Sequence, residues 1–155
     1  MFDYRLEHIL SYSVTLQQPL EVIGETPAGL RINAYVTGGE ATGPRLRGPI
    51  RPVGGDWLTV RPDGVGLLDV RGTLETPEGA LVYIEYSGVM DLGEDGYARV
   101  LRGDLPASVP IHVAPRFLTA HPAFMWLNRL QCVSIGALDP ATSTVRYDTY
   151  ALRSG

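Results

Sequence analysis

Apolar and polar residues alternate along most of this chain, in runs that recur roughly every 8 to 14 residues and break at glycine, proline or aspartate. The runs lie near Arg5–Leu16, Leu20–Ile23, Leu30–Thr37, Pro49–Val53, Trp57–Arg61, Gly66–Glu75, Ala80–Met90, Tyr97–Arg102, Val109–Leu118, Gln131–Leu138 and Thr144–Leu152. A period of two is the signature of strands with one buried face. Between the runs stand strong turn signals: Thr26-Pro27-Ala28-Gly29, Pro62-Asp63-Gly64, Thr76-Pro77-Glu78-Gly79, Gly93-Glu94-Asp95-Gly96 and Asp139-Pro140. Connections this short predict hairpins, and so a largely antiparallel sheet. Helical spacing is nearly absent. The exception is His121–Asn128, where Pro122 suits a first helical position. So many strands in one domain dispose of their edges most simply by closing into a barrel.

The clearest hairpin joins Leu67–Leu74 to Leu81–Ser87. A three-residue loop, Pro77-Glu78-Gly79, sets Thr73 opposite Tyr83, Arg71 opposite Glu85 and Asp69 opposite Ser87. One face is then wholly polar. The other collects Leu68, Val70, Leu74, Val82, Ile84 and Tyr86. A two- or four-residue loop would oppose Arg71 to Ile84 and mix the faces. Two readings of this pattern stand open. Either the apolar face is core and the polar one is solvated, or the polar face lines a ligand cavity and the apolar one is covered by further strands or a second subunit. The second reading requires Asp69, Arg71 and Tyr83 to face inward.

Composition narrows the chemistry. The chain has 155 residues, 45% of them hydrophobic, enough for one domain spanning 1–155 with its own core. All 13 basic residues are arginine. With no lysine there is no Schiff base, no pyridoxal-phosphate anchor, no biotinyl or lipoyl carrier and no phosphate-loop lysine. A net charge of −4 speaks against nucleic acid as a partner. No apolar run is long enough to span a membrane as a helix, and the expected location is the bacterial cytoplasm. The single cysteine, Cys132, sits in a strand run and is expected to be buried and inert. His8, His112 and His121 are too scattered for a metal-binding spacing, so no metal is expected.

From Thr37 to Trp57 the chain is rich in glycine and arginine, with Gly54-Gly55-Asp56-Trp57 at its end. No helix or Lys-Ser/Thr follows to make a phosphate loop. Glycine here is better suited to strand bends and close backbone approach. Four ordered segments, Gly38-Gly39 with Gly43-Pro44-Arg45-Leu46-Arg47-Gly48, Gly54-Gly55-Asp56-Trp57, Leu68-Asp69-Val70-Arg71 with Gly79-Ala80-Leu81-Val82-Tyr83, and Trp126-Leu127-Asn128-Arg129, resemble the bacterial family called domain of unknown function 3237. The resemblance spans nearly the whole chain. It implies a single antiparallel β-barrel of the calycin-like or allene-oxide-cyclase-like kind, oligomeric (a homodimer foremost), with a ligand-sized interior and no stated reaction. The chain departs from the family pattern at His112-Val113-Ala114 and at Gly72, where an aromatic residue is common.

The expected activity is a cofactor-independent isomerase, cyclase, lyase or hydratase acting on a small molecule, because such steps need only placed acids, bases and hydrogen bonds. Candidate proton carriers are Asp69 and Glu85, with Tyr83 as a donor and Asp56 as a further acid. Arg47 and Arg71 are candidates for holding an anionic or carbonyl oxygen, and His112 for a pocket base. Trp57 and Trp126 would supply apolar walls, and Asn128 an orienting amide. The alternative is a non-catalytic barrel that binds or carries a small apolar ligand. A buried carboxylate with a raised pKa would favour the enzyme, and a purely aliphatic cavity the carrier.

Overall fold

The computed structural model describes residues 1–155. Eleven strands form the body: β1 (Tyr4–Leu16), β2 (Glu21–Thr26), β3 (Gly29–Thr42), β4 (Gly48–Ile50), β5 (Gly55–Val60), β6 (Val65–Glu75), β7 (Leu81–Asp91), β8 (Val109–Val113), β9 (Arg116–Leu118), β10 (Cys132–Asp139) and β11 (Thr144–Ser154). A six-residue helix, α1 (Gly96–Leu101), precedes β8, and a 3₁₀ helix (Pro122–Arg129) precedes β10. All pairings are antiparallel. The path β1-β3-β5-β6-β7-β8-β10-β11 returns from β11 to β1, so eight strands close a ring while β2, β4 and β9 extend its walls.

The alternation works as expected, and closure decides which face is inside. On β11, Val145, Tyr147, Thr149 and Ala151 point inward while Arg146 and Asp148 meet solvent. The β6–β7 hairpin has the register read from the sequence, with Thr73 facing Tyr83, Arg71 facing Glu85 and Asp69 facing Ser87. Its loop is held by bonds from the Gly79 N–H and the Thr76 N–H across the turn. Leu68, Val70, Leu74, Val82 and Ile84 are buried in the core. The first of the two readings is therefore the correct one. The apolar face fills the barrel and the polar face looks out.

One end of the barrel is filled. Leu10, Leu46, Leu74, Val82, Phe117 and Leu127 are almost fully buried there. The 3₁₀ helix closes this end by inserting Phe124 and Leu127. Its start is capped by His121, whose Nδ1 accepts from the Ala123 N–H at 3.2 Å. Ser134 and Thr149 bury their hydroxyls as a mutual pair 2.7 Å apart. Cys132 is buried at this end too, and burial pushes its thiol up to about 11.

Three runs differ from the sequence reading, one of them Val109–Leu118, which breaks at Ala114-Pro115 into β8 and β9. Tyr97–Arg102, expected as a strand, is mostly the helix α1: Tyr97 and Val100, three residues apart, pack on the core from one helical face. The run Pro49–Val53 contracts to the three residues of β4.

Candidate functional site

The other half of the barrel is not filled. Inward side chains including Val14, Ile32, Leu68, Val70, Met90 and Ile111 surround a chamber of about 70 Å³. One carboxyl enters it. Asp56 shares the inward parity of Leu58 and Val60 on β5 and is half-buried. Its place follows from an interruption in the wall. The β5–β6 ladder pairs Gly55 with Arg71 and Asp56 with Val70, then resumes at Thr59 with Leu67, skipping Trp57 and Leu58. In that gap the Asp69 N–H donates to Asp56 Oδ1 at 3.0 Å. Burial pushes the Asp56 carboxyl up from its ordinary range to about 6, with the neighbouring Asp69 charge adding to the rise. The Asp69 N–H and the Arg31 charge oppose it. Desolvation outweighs both of them.

Three phenols converge beside it. Tyr86 from β7 and Tyr147 from β11 line the chamber with Asp56, their rings edge-on at 5.6 Å. Tyr12 from β1 packs on Tyr147 at 5.1 Å, and its buried hydroxyl has no hydrogen-bond partner. Burial raises the pKa of all three, so each keeps its proton and remains a donor. Gly136 on β10 makes this possible: a Cβ there would lie 2.3 Å from the Tyr147 ring.

Of the residues singled out from the sequence, Asp56 alone reaches the chamber. Asp69, Arg71, Tyr83 and Glu85 do come together, but on the outer wall. Arg71 pairs with Asp69 at 3.2 Å and Tyr83 donates to Glu85 at 3.1 Å; Asp69, Arg71 and Glu85, with Arg116, rim a shallow groove of about 200 Å³. They point outward because Leu68, Val70, Val82 and Ile84, at the opposite parity, take the interior. Trp57 faces outward beside Asp56, its ring 5.4 Å from the Arg71 guanidinium. His112 is exposed on β8 between Val89 and Ile135, since Ile111 and Val113 hold the inward positions. Arg47 is exposed in a shallow pocket with Glu78, far from the chamber's lining. Trp126 packs half-buried against the core at the closed end, with the Arg45 guanidinium over its ring at 3.9 Å from the centroid. Asn128 is a structural clasp: it accepts from the Thr119 N–H at 2.8 Å and donates to the Thr119 carbonyl at 2.9 Å. Gly72 is not part of the chamber wall. The tyrosines are what the sequence reading passed over, although Tyr86 already stood on the apolar face of the hairpin.

No three His, Cys, Asp or Glu side chains are grouped so as to hold a metal ion. No helix is long and apolar enough to cross a membrane.

The profile of the family described as "Protein of unknown function (DUF3237)" matches residues 4–152. The chain belongs to this family. A curated relative, a UPF0311 protein of Rhodopseudomonas palustris, is 31% identical over 116 residues, 74% of each chain. A DUF3237 chain is also similar in fold to a crystal structure from Acinetobacter baumannii described as a beta-barrel like protein. That match has a TM-score of 0.83 and 30% identity, and it covers 97% of both chains. A more distant neighbour, described as an enzyme from Penicillium herquei, has a TM-score of 0.67 and 19% identity over 97% of this chain and 95% of its own. At that identity the likeness is one of fold.

Proposed function

We propose that this DUF3237 protein is a cofactor-independent catalyst of proton transfer in a small, largely apolar molecule, of the isomerase, cyclase, lyase or hydratase class. The observation that carries the reading is Asp56, a single carboxyl held by a backbone N–H in an otherwise apolar, tyrosine-flanked chamber. A carboxyl brought to about 6 has both its acid and its base form within reach near neutral pH. As carboxylate it can take a proton from carbon beside a carbonyl. The electron pair moves to the carbonyl oxygen, where the Tyr86 or Tyr147 hydroxyl donates a hydrogen bond to the new oxyanion. The carboxylic acid then returns the proton to carbon, so the cycle is redox-neutral and consumes nothing. Run from the acid form, the same group protonates a double bond ahead of ring closure or addition of water. The Penicillium herquei neighbour called an enzyme has the same fold, which agrees with catalysis on this scaffold.

Solvent deuterium exchange tests this without knowledge of the natural substrate. Simple methyl ketones incubated with the protein in heavy water should gain deuterium beside the carbonyl about a hundredfold faster than without it. The rate should fall as pH drops through about 6, where Asp56 becomes protonated. Asp56→Asn should abolish the acceleration. A folded Asn variant that exchanges as fast as the parent would remove Asp56 from the mechanism. A second reading, a non-catalytic carrier, draws on the aliphatic remainder of the chamber wall, and ketones that bind without exchanging would favour it.

A further inference from the structure

The chamber is too small for a whole substrate. At about 70 Å³ it takes only a few heavy atoms, whereas sites that hold a small organic ligand usually measure roughly 300 to 1,000 Å³. It borders a second space. Leu16 at the end of β1, Leu20 before β2 and Leu138 near the end of β10 line the chamber on one side and a second cavity of about 470 Å³ on the other. This outer cavity, the vestibule, lies under the segment that follows α1. Its wall is Leu105, Pro106, Pro140 and their neighbours, with Gln18 and Ser143 as its polar side chains. Neither space is lined by an arginine or a histidine, and Asp56 is the one carboxylate in either wall.

We infer that the substrate is a neutral, two-part molecule: a small carbonyl- or hydroxyl-bearing end passes the collar of Leu16, Leu20 and Leu138 to reach Asp56, while a larger apolar body stays in the vestibule. This rests on the reading of the chamber as the reaction site and adds to it the size, charge and direction of what enters. Charge follows from desolvation. A carboxylate or phosphate drawn into these walls would lose its water with no cation to meet it, and would lie against Asp56. Shape follows from the collar. Three leucines admit an unbranched end and exclude a bulky one, and a misfit of one or two methyl groups at such a contact changes selectivity about tenfold or more. Direction follows from adjacency: the vestibule shares Leu16, Leu20 and Leu138 with the chamber, which puts the approach to the carboxyl through these three side chains.

The test is binding, measured on the Asp56→Asn protein as well as the parent, so that absence of turnover leaves it unaffected. Methyl hexyl ketone should shift the backbone amide resonances of Leu16, Leu20, Leu138 and the β5 residues, whereas octanoate at about pH 8 should not. The tert-butyl hexyl ketone should bind at least about tenfold more weakly than the methyl ketone, and Leu20→Ala should close most of that gap. Leu138→Trp, and separately Ala141→Trp on the exposed rim, should each weaken the methyl ketone about tenfold. Three results overturn the inference: octanoate binding as well as the ketone, shifts confined to the outer groove beside Asp69 and Arg116, or both tryptophan variants binding as the parent does. Ketone binding that follows this pattern while deuterium exchange is absent would support the two-part site and refute the catalytic reading.

Discussion

The two ends of this barrel use the same alternating strands to opposite effect. Around Phe117, Leu74 and Leu127 the inward residues are large, aliphatic or aromatic, and meet with almost no exposed surface. Polar groups there are satisfied: Ser134 and Thr149 bond each other, and Asn128 is clasped to Thr119. Toward the other end the inward residues enclose a space, one carboxyl sits at a raised pKa and one phenol lacks a partner. Features that lower stability gather where a ligand would supply the missing contacts. The filled end holds the ring together so that the other end can remain open.

The largest test of that division is a pair of truncations. Phe117→Ala should cost about 3–5 kcal/mol in urea unfolding, because it opens a cavity in close-packed surroundings. Leu138→Ala at the collar should cost about 1 kcal/mol or less, because the side chain already borders empty space. Equal losses would mean that the chamber end is as tightly packed as the other.

Next in size is Asp56→Asn, which should stabilise the protein at neutral pH. Burial raises this carboxyl from 3.8 to about 6, so the folded state holds its proton more tightly than the unfolded chain does. The stabilisation from that proton is complete below the ordinary carboxylate pKa and is lost as pH rises through about 6. Relative to the parent, the Asn variant should gain roughly 2–3 kcal/mol at neutral pH and nothing below about pH 4, with Oδ1 still accepting from Asp69. Urea midpoints at the two pH values give the answer, and a difference independent of pH would mean that the carboxyl is not desolvated.

Hydroxyls distinguish the two ends at about 1 kcal/mol. Thr149→Val strands the buried Ser134 hydroxyl and should cost about 1–2 kcal/mol. Tyr12→Phe removes a hydroxyl that has no partner, and should leave stability unchanged or raise it by up to about 1 kcal/mol. A loss on Tyr12→Phe would indicate a hydrogen bond to that phenol in solution.

Much of this contrast is local in origin and some of it is not, which explains what the sequence made legible. Hairpin register depends on neighbours a few residues apart, so Arg71 opposite Glu85 follows from the loop and the parity alone. The barrel follows from strand number. The inward face does not, because it depends on which strands close the ring, and β6 meets β5 and β7 while β1 meets β11 from the far end of the chain. Polar residues on a clean face look like a site until the ring is closed. Tyr97–Arg102 reads as a strand because tyrosine and valine favour strands, and only the core contacts of α1 overrule that preference. The tyrosine cluster draws Tyr12, Tyr86 and Tyr147 from three strands distant in sequence, and no spacing announces it.

The smallest effect belongs to the outer wall. Arg71→Ala removes an exposed ion pair with Asp69 and a distant contact with Trp57. Exposed pairs of this kind are screened by water and offset by side-chain entropy, so stability should move by no more than about 0.5 kcal/mol. Ketone exchange should also be unchanged, because the guanidinium lies on the far side of the sheet from the carboxyl of Asp56. The backbone of residue 69, not its side chain, is what reaches the chamber. Asp69→Ala should therefore preserve exchange too, since the N–H that holds Asp56 remains, whereas Asp56→Asn abolishes it. Loss of exchange in both Arg71→Ala and Asp69→Ala would move the chemistry to the outer groove and reverse the assignment of inside and outside. One strand thus carries the sharpest form of the comparison, with position 69 acting inward through its amide while its carboxylate faces water.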